Sequence, residues 1–173
     1  MIRASSLGYR FPSNDSPTIG PITVDLHAGQ ICVIAGATGS GKSTLIRLLA
    51  GLLQTHGRGD VMGTVSINGQ DPAHFSPTER AAILGFLTQV PDDQILCSTI
   101  LDEMCFGLES TTVPVSDIEP IAHKWLGLVG LSYDDDTSPR QLSGGEKQRL
   151  VLGASLAAGA KTILLDEPLS QLD

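Results

Sequence analysis

Apolar residues recur along this chain in two patterns. Short runs, either mostly apolar or alternating, are typical of β-strands and lie at residues 2–11, 22–26, 31–35, 64–67, 83–88 and 162–165. The run at 31–35 is apolar without interruption, which predicts a strand buried on both faces. Helices are predicted where capping sequences or helically spaced apolar residues occur, at 45–50, from 77 onward, and at 99–108, 116–129 and 143–158.

Three Ser-x-x-Glu sequences mark predicted helix starts. They are the capping boxes Ser76–Glu79, Ser116–Glu119 and Ser143–Glu146. Strand patterns are absent between residues 90 and 141, so we interpret this stretch as an inserted helical subdomain. Residues 1–89 and 142–173 then form the core of a single domain of 173 residues, a length that allows a substantial hydrophobic core.

The segment between the predicted strand at 31–35 and the helix at 45–50 has the spacing of a phosphate-binding loop: Gly, four residues, then Gly-Lys-Ser. Glycines let successive backbone N–H groups face a phosphate, and the helix start adds positive potential. Lys42 can reach the β- and γ-phosphates, and the Ser43 hydroxyl can ligate Mg²⁺. The candidate phosphate-binding residues are Gly36, Thr38, Gly39, Ser40, Gly41, Lys42, Ser43 and Thr44.

Two acidic residues follow the last predicted strand directly. Asp166 and Glu167 would therefore lie at the carboxyl end of the sheet, where α/β sheets bind ligands. Asp166 can hold Mg²⁺, and Glu167 is placed to orient or deprotonate an attacking water. With a phosphate-binding loop upstream, this interpretation is favoured over two solvated acids that only cap a strand.

The sequence Leu-Ser-Gly-Gly-Glu at 142–146 opens the last predicted helix. Two glycines in a first helical turn cost roughly 1 kcal/mol each relative to alanine, so a purely structural capping box does not need both. A helix start with exposed N–H groups suits a phosphate. Gly144 and Gly145, with Ser143 before them, are therefore a second candidate phosphate contact.

Charge and hydropathy restrict the function. The net charge of −8 and a pI of about 4.8 argue against nucleic acid as a partner, since such a surface would be basic. The N-terminus has no signal-peptide core, and the longest weakly polar run, 150–160, is too short to cross a bilayer. We expect a cytoplasmic protein that partners hold at any membrane where it works.

Three motifs, in this order along the chain, resemble those of ATP-binding cassette (ABC) ATPases. They are the phosphate-binding loop at 36–43, the sequence at 142–146, which resembles the family signature, and Ile-Leu-Leu-Asp-Glu-Pro at 163–168. The resemblance implies an α/β fold of the P-loop NTPase type. That fold has a parallel sheet, an N-terminal antiparallel β part and the inserted helical subdomain. The resemblance also implies an ATPase that uses ATP and Mg²⁺.

The resemblance assigns further roles. It implies that Gln89 is the Q-loop glutamine, which contacts Mg²⁺ or water, and that residues 170–173 form the D-loop. It implies a head-to-tail dimer in which ATP lies between the phosphate-binding loop of one subunit and the signature residues 143–145 of the other. The second subunit could be an identical or a different chain.

An aromatic residue near the N-terminus stacks on adenine in this family. Phe11 lies at the expected distance before Gly29, and Tyr9 is the alternative.

The sequences Gln-Val-Pro-Asp-Asp-Gln at 89–94 and Asp-Glu-Met-Cys-Phe-Gly at 102–107 resemble the ATPase subunits of energy-coupling factor transporters, which import vitamins and cobalt or nickel ions. This finer resemblance implies a transmembrane partner that contacts the region after Gln89. It places the protein at the cytoplasmic face of the membrane. The transported substrate is chosen by another subunit and cannot be read from this chain.

No histidine follows Glu167, where family members carry a switch histidine. We therefore expect a fragment or truncated form with little or no ATPase activity of its own. Two rival interpretations are a soluble ABC ATPase, of the DNA-repair or translation kind, and a module that binds nucleotide without hydrolysing it. Soluble ABC ATPases usually carry basic patches or long insertions, which this sequence lacks.

Overall fold

The computed structural model describes residues 1–56 and 59–168. The chain forms two compact units, the first comprising Met1–Phe75 and the second beginning at Ser76. The predicted division into a core (1–89 and 142–173) and a helical subdomain (90–141) does not coincide with this boundary and stays a prediction.

The first unit is built on a three-stranded antiparallel sheet in the order β2-β1-β3. The strands are β1 (Ile2–Arg10), β2 (Ile19–Leu26) and β3 (Asp60–Ile67). Ile2 pairs with Leu26 on one side and with Ile67 on the other. β1 is central, since both of its edges are paired, and its side chains Ile2, Ala4, Leu7 and Tyr9 are buried. This sheet is the predicted antiparallel β part.

Two helices follow in the first unit, α1 (Lys42–Leu49) and α2 (Leu52–His56). α1 buries Ile46, Leu48 and Leu49. Asn68 and Gly69, with φ of 52° and 84°, form the turn after β3 that their sequence predicts.

The predicted strand at 31–35 is wrong: in the part of the chain that the structure describes, this segment belongs to no strand. Ile31 and Val33 are 93% and 82% exposed instead of buried. An apolar run expresses a tendency to be buried, but a strand also needs neighbours that bond its backbone. Within the first unit, the sheet pairs β2, β1 and β3 only.

The second unit contains the parallel pair β4 (Leu84–Leu87) and β5 (Thr162–Leu165), in register from Leu84 opposite Thr162 to Leu87 opposite Leu165. β5 has the bounds that its apolar run predicts. Before β4 lies α3 (Pro77–Ile83), which begins with the predicted capping box. With one antiparallel and one parallel sheet among helices, the architecture is the expected α/β fold.

Three longer helices pack together in the second unit: α4 (Ile100–Glu109), α5 (Val115–Leu128) and α6 (Gly144–Ala157). Their shared core contains Ile100, Met104, Leu108, Ala122, Leu126, Leu131, Leu142 and Leu150. α4 and α6 approach closely, since a Cβ added at Gly153 would lie 3.0 Å from Met104 Cε. Leu142, just before the first turn of α6, is also in this core and holds the start of the helix.

The predicted capping box at Ser116 is wrong. α5 begins at Val115 with Pro114 as its N-cap, and the Ser116 hydroxyl donates to Asp117 instead. Pro114 supplies a backbone already suited to a helix start, so the helix begins before the serine could cap it.

Candidate functional site

The lysine of the phosphate-binding loop contacts the backbone of the loop itself. Lys42 Nζ donates to the carbonyl oxygens of Gly36 and Ala37, each at 3.1 Å, and the Ser40 N–H donates to Ala37 O at 3.1 Å. The ammonium group is therefore held over the loop, where it can neutralise phosphate charge. Thr38 and Ser40 are exposed beside it.

The helix that follows the loop starts without a side-chain cap. Its N-cap, Gly41, has a φ of 94°, and the first turn contains no acidic residue. A side chain at Gly41 would be strained by this φ and would collide with Ile19. The N–H groups of Lys42, Ser43 and Thr44 belong to the first turn of α1, where helix N–H groups and the helix dipole favour an anion. These residues fit a polyphosphate.

The structure separates the two candidate adenine-stacking residues. Tyr9 is 1% exposed, and its hydroxyl accepts from the Gly59 N–H at 3.2 Å, so it belongs to the core of the sheet. Phe11 is 36% exposed and packs edge-on against Tyr9, with ring centroids 4.9 Å apart. Phe11 is therefore the better candidate for stacking on a base.

The parallel strand pair brings Gln89 and Glu167 together. The Gln89 side-chain amide donates to Glu167 Oε2 at 2.9 Å, although the residues are 78 positions apart. Asp166, which precedes Glu167, is 2% exposed, and its N–H donates to Leu87 O at 2.9 Å, continuing the ladder of β4 and β5. Glu167 has a φ of 51°, a left-handed conformation that is unfavourable for glutamate and often found at functional sites.

The predicted Mg²⁺ ligands are the hydroxyl of Ser43, the side-chain oxygen of Gln89 and the carboxylate of Asp166. Such an all-oxygen set is the chemistry that Mg²⁺ prefers, with substrate phosphates supplying further ligands. Within 1–56 and 59–168, no group of three or more His, Cys, Asp or Glu side chains is placed to hold a metal ion. The donor chemistry fits Mg²⁺ as a partner of a bound nucleotide.

Ser143 caps α6, and Glu146 completes the predicted box. Glu146 Oε2 accepts from the Ser143 N–H at 2.8 Å and from its hydroxyl at 2.7 Å. Glu146 Oε1 accepts from the Tyr133 hydroxyl at 2.7 Å. The bond from Tyr133 and those from Ser143 lower the pKa of Glu146 to about 2. The carboxylate is therefore a fixed negative charge at the helix start.

Sequence reasoning missed the contacts that hold the segment after Gln89. Gln94 accepts from the Thr88 N–H at 2.7 Å and donates to Phe86 O at 2.8 Å, which ties this segment to β4. Lys147, in the signature helix, forms an ion pair with Asp92 at 2.6 Å. No local pattern signals these contacts, because each joins residues from different elements. The contact of Tyr133 with Glu146 was missed for the same reason.

The predicted D-loop, Ser170 to Asp173, lies outside the described residues. In the parts of the chain that are described, no helix is long and apolar enough to span a bilayer.

A phosphate-binding loop, an acidic pair after a parallel strand and a capped glycine-rich helix start define an α/β nucleotide-binding domain of the P-loop NTPase class. The family model described as ABC transporter matches residues 19–170. The chain belongs to this family and is an ABC ATPase domain.

Curated relatives carry the name of an ABC transporter ATP-binding protein. One from Methanosarcina acetivorans is 32% identical over 173 residues, covering 100% of this chain and 27% of the relative. Another, from Vibrio parahaemolyticus, is 36% identical over 172 residues, covering 99% of this chain and 30% of the relative. The chain thus spans less than a third of the length of either relative.

Solved structures share the fold. CbiO1 of Clostridium perfringens, described as part of the ABC transporter complex cbiONQ, matches with a TM-score of 0.80 and 24% identity, covering 99% of this chain and 67% of its own. The ATP-binding cassette MJ0796, in a dimeric post-hydrolysis state with ADP and Pi, matches with a TM-score of 0.82 and 22% identity, covering 100% of this chain and 76% of its own.

Proposed function

We propose that this chain supplies the site at which Mg-ATP is bound and hydrolysed to power an importer, of the energy-coupling factor type. The observation that carries the proposal is the hydrogen bond of 2.9 Å between Gln89 and Glu167 at the carboxyl ends of β4 and β5. It puts a carboxylate with a fixed orientation where α/β sheets bind ligands.

Each part of the site has a proposed role in phosphoryl transfer. Lys42 and the N–H groups at the start of α1 neutralise the phosphates, and Phe11 stacks on adenine. The oxygens of Ser43, Gln89 and Asp166 would hold Mg²⁺, which supplies further charge neutralisation when bound. Most of the catalysis is positioning and charge stabilisation, as is usual for this reaction.

Glu167 is the proposed base. It accepts the proton of the attacking water through its carboxylate, while Gln89 fixes the Oε2 side of that group. A base must hold its orientation to stay within hydrogen-bond reach of the water. The hydrogen bond from Gln89 provides that restraint.

A second ATPase subunit completes the site in this proposal. Ser143, Gly144 and Gly145 of that subunit contact the γ-phosphate, in a head-to-tail dimer. The first turn of α6 has the chemistry for this role, because helix N-termini bind phosphates. MJ0796, whose fold is similar to that of this chain, was solved as a dimer with ADP and Pi.

The membrane partner is proposed to contact the segment after Gln89, at the cytoplasmic face. Val90 and Leu96 in this segment are 44% and 71% exposed, although both are apolar. Gln94 and the Lys147–Asp92 pair hold the segment in place. The similar structure of CbiO1, described as part of an ABC transporter complex, supports a transporter partner. A nucleic-acid partner remains disfavoured by the net charge of −8.

ATP binding by the purified chain, and phosphate release by a version extended to include a switch histidine after Glu167, test the proposal with variants of Lys42 and Glu167. We expect Lys42→Ala to lose ATP affinity, since it removes the ammonium group from the loop. Glu167→Gln should keep ATP binding and lose hydrolysis, because an amide cannot accept the water's proton. The exposed residues Lys124 and Glu119 supply matched controls, Lys124→Ala and Glu119→Gln, which should behave as the wild type. Unchanged ATP affinity in Lys42→Ala, or normal turnover in Glu167→Gln, contradicts the assigned role.

A further inference from the structure

The start of α6 carries two contacts that its capping box does not need. Both reach Glu146 Oε1: a hydrogen bond from the Tyr133 hydroxyl at 2.7 Å and a longer ion pair with Arg149 at 3.8 Å. The boxes at Ser76–Glu79 and Ser143–Glu146 have nearly the same geometry, with serine N–H bonds to glutamate Oε2 of 2.9 and 2.8 Å and hydroxyl bonds of 2.7 Å in both. Among the described residues, the hydrogen bonds of the Glu79 side chain all go to Ser76. Only the Glu146 carboxylate also accepts from a tyrosine, Tyr133.

The comparison shows what Tyr133 contributes. Since the box of α3 forms without a tyrosine, Tyr133 is not needed to start a helix. Its hydroxyl instead fixes Oε1 of Glu146 at 2.7 Å, which sets the rotation of the whole carboxylate. The other oxygen, Oε2, is the one that accepts from the Ser143 hydroxyl. Tyr133 and Ser143 are thus joined through the two oxygens of Glu146, and Tyr133 adds a restraint on the carboxylate that the box of α3 lacks.

The loop that carries Tyr133 is itself held at both ends. Leu131, two residues before it, is 2% exposed in the shared helical core, and its N–H donates to Leu126 O at 2.9 Å. Asp135, two residues after it, contacts His123 Nε2 at 2.9 Å. Tyr133 itself is 44% exposed, so the contacts of Leu131 and Asp135, and not burial of the ring, restrain the loop that carries the hydroxyl.

We propose that Tyr133 is a positioning residue for ATP: by holding the Glu146 carboxylate, it keeps the Ser143 hydroxyl and the first turn of α6 open to the γ-phosphate bound by the second subunit. This inference rests on the proposed function. Without the tyrosine hydroxyl, Oε1 of Glu146 keeps only the ion pair with Arg149 at 3.8 Å, and the less restrained carboxylate can compete with the phosphate for the N–H groups of the first turn. A negative group in that position repels the nucleotide.

The test is the ATP dependence of steady-state hydrolysis by the whole protein carrying Tyr133→Phe, which removes the hydroxyl and keeps the ring. We expect KM for ATP to rise about tenfold, the ratio that corresponds to one hydrogen bond to a charged group. We expect kcat at saturating ATP to stay within about twofold, since Tyr133 acts through Glu146 and not on the reacting atoms. The exposed residue Asp136, in the same loop, supplies the control Asp136→Asn, which should leave both constants unchanged.

A double-mutant cycle separates this role from a merely structural one. Glu146→Ala removes both carboxylate oxygens and with them the acceptor of the Tyr133 hydroxyl, so Tyr133→Phe should have little further effect on KM in that background. An equal rise of KM in both backgrounds would show that Tyr133 acts elsewhere and would overturn the inference. So would a loss of kcat with KM unchanged.

The outcomes also distinguish the inference from the function on which it rests. If the wild type hydrolyses ATP in a Glu167-dependent way and Tyr133→Phe has the wild-type KM, the inference fails alone. If the wild type does not hydrolyse ATP, the proposed function fails and the inference with it. The Tm of Tyr133→Phe should stay close to that of the wild type. If the rise in KM were explained entirely by a smaller fraction of folded protein, Tyr133 would not be a positioning residue.

Discussion

Glu103 gives a direct test of how the segment between Gln89 and α4 is held. This carboxylate lies on α4, is 6% exposed, and accepts with Oε2 from the N–H groups of Leu96 at 2.9 Å and Cys97 at 2.8 Å. We expect Glu103→Gln to destabilise the protein. The substitution keeps the shape of the side chain and removes the charge, so packing is nearly unchanged.

The magnitude follows from the two hydrogen bonds. A bond to a charged group contributes about 1 kcal/mol more than a neutral one, which gives about 2 kcal/mol for the pair. Relief of a buried charge offsets part of this loss, so we expect Glu103→Gln to cost about 1–2 kcal/mol. Glu103→Ala leaves two N–H groups without an acceptor and should cost about 3–5 kcal/mol.

The free energy of unfolding of each variant, measured in urea, checks these values. Glu109→Gln on the same helix is the matched control, because Glu109 is exposed and should tolerate the change. A Glu103→Ala variant as stable as the wild type would show that the carboxylate does not hold the segment.

Cys97 supplies a second measurement of the same contact. Burial, and then the negative charge of Glu103, raise the pKa of the Cys97 thiol to about 11. Glu103→Gln should lower this pKa, but not to the usual value of 9.0, because burial remains. The alkylation rate against pH reports it, in a background with Cys32 and Cys105 changed to serine. An unchanged profile would refute the electrostatic part of the argument.

Three further predictions concern the signature helix. The pKa of Glu146 is about 2, against a usual 4.5. Its charged form therefore stabilises the protein fully above about pH 4.5, and this stabilisation is lost as the pH falls toward 2. The difference in Tm between the wild type and Glu146→Gln should shrink over that range. Gly145→Leu should abolish ATP-driven dimers in the Glu167→Gln background without loss of nucleotide binding, and a dimer seen by size exclusion with Mg-ATP would contradict the interface role. Asp92→Asn and Lys147→Met should show a coupling of about 0.5–1 kcal/mol in urea unfolding, because the lysine side chain is only 15% exposed, and strictly additive effects would count against the ion pair.

Local sequence patterns predicted helix starts well where one element alone decides them. The boxes at Ser76 and Ser143 form as expected, because a serine and a glutamate three residues later need only each other. The box at Ser116 does not form, since Pro114 starts the helix two residues earlier. The sequence contains two possible starts for this helix, Pro114 and the Ser116–Glu119 box, and the pattern alone did not show which one is used.

Contacts between elements were beyond the sequence. The apolar run at 162–165 became β5 because β4 pairs with it, whereas the run at 31–35 belongs to no described strand. The contact of Tyr133 with Glu146 depends on how a loop lies against α6, and hydrophobic periodicity carries no information about it. The candidate site residues were therefore predicted from motifs, whereas the residues that contact them were identified only in the structure.

The left-handed backbone at Glu167 places stability and activity in opposition at one position. At a φ near 51°, the backbone conformation costs about 1 kcal/mol less for asparagine or glycine than for glutamate. Substitutions that relax the strain also remove the proposed base. A lineage released from the need to hydrolyse ATP would therefore lose this carboxylate readily, and selection for thermostability alone would favour a well-folded but inactive protein.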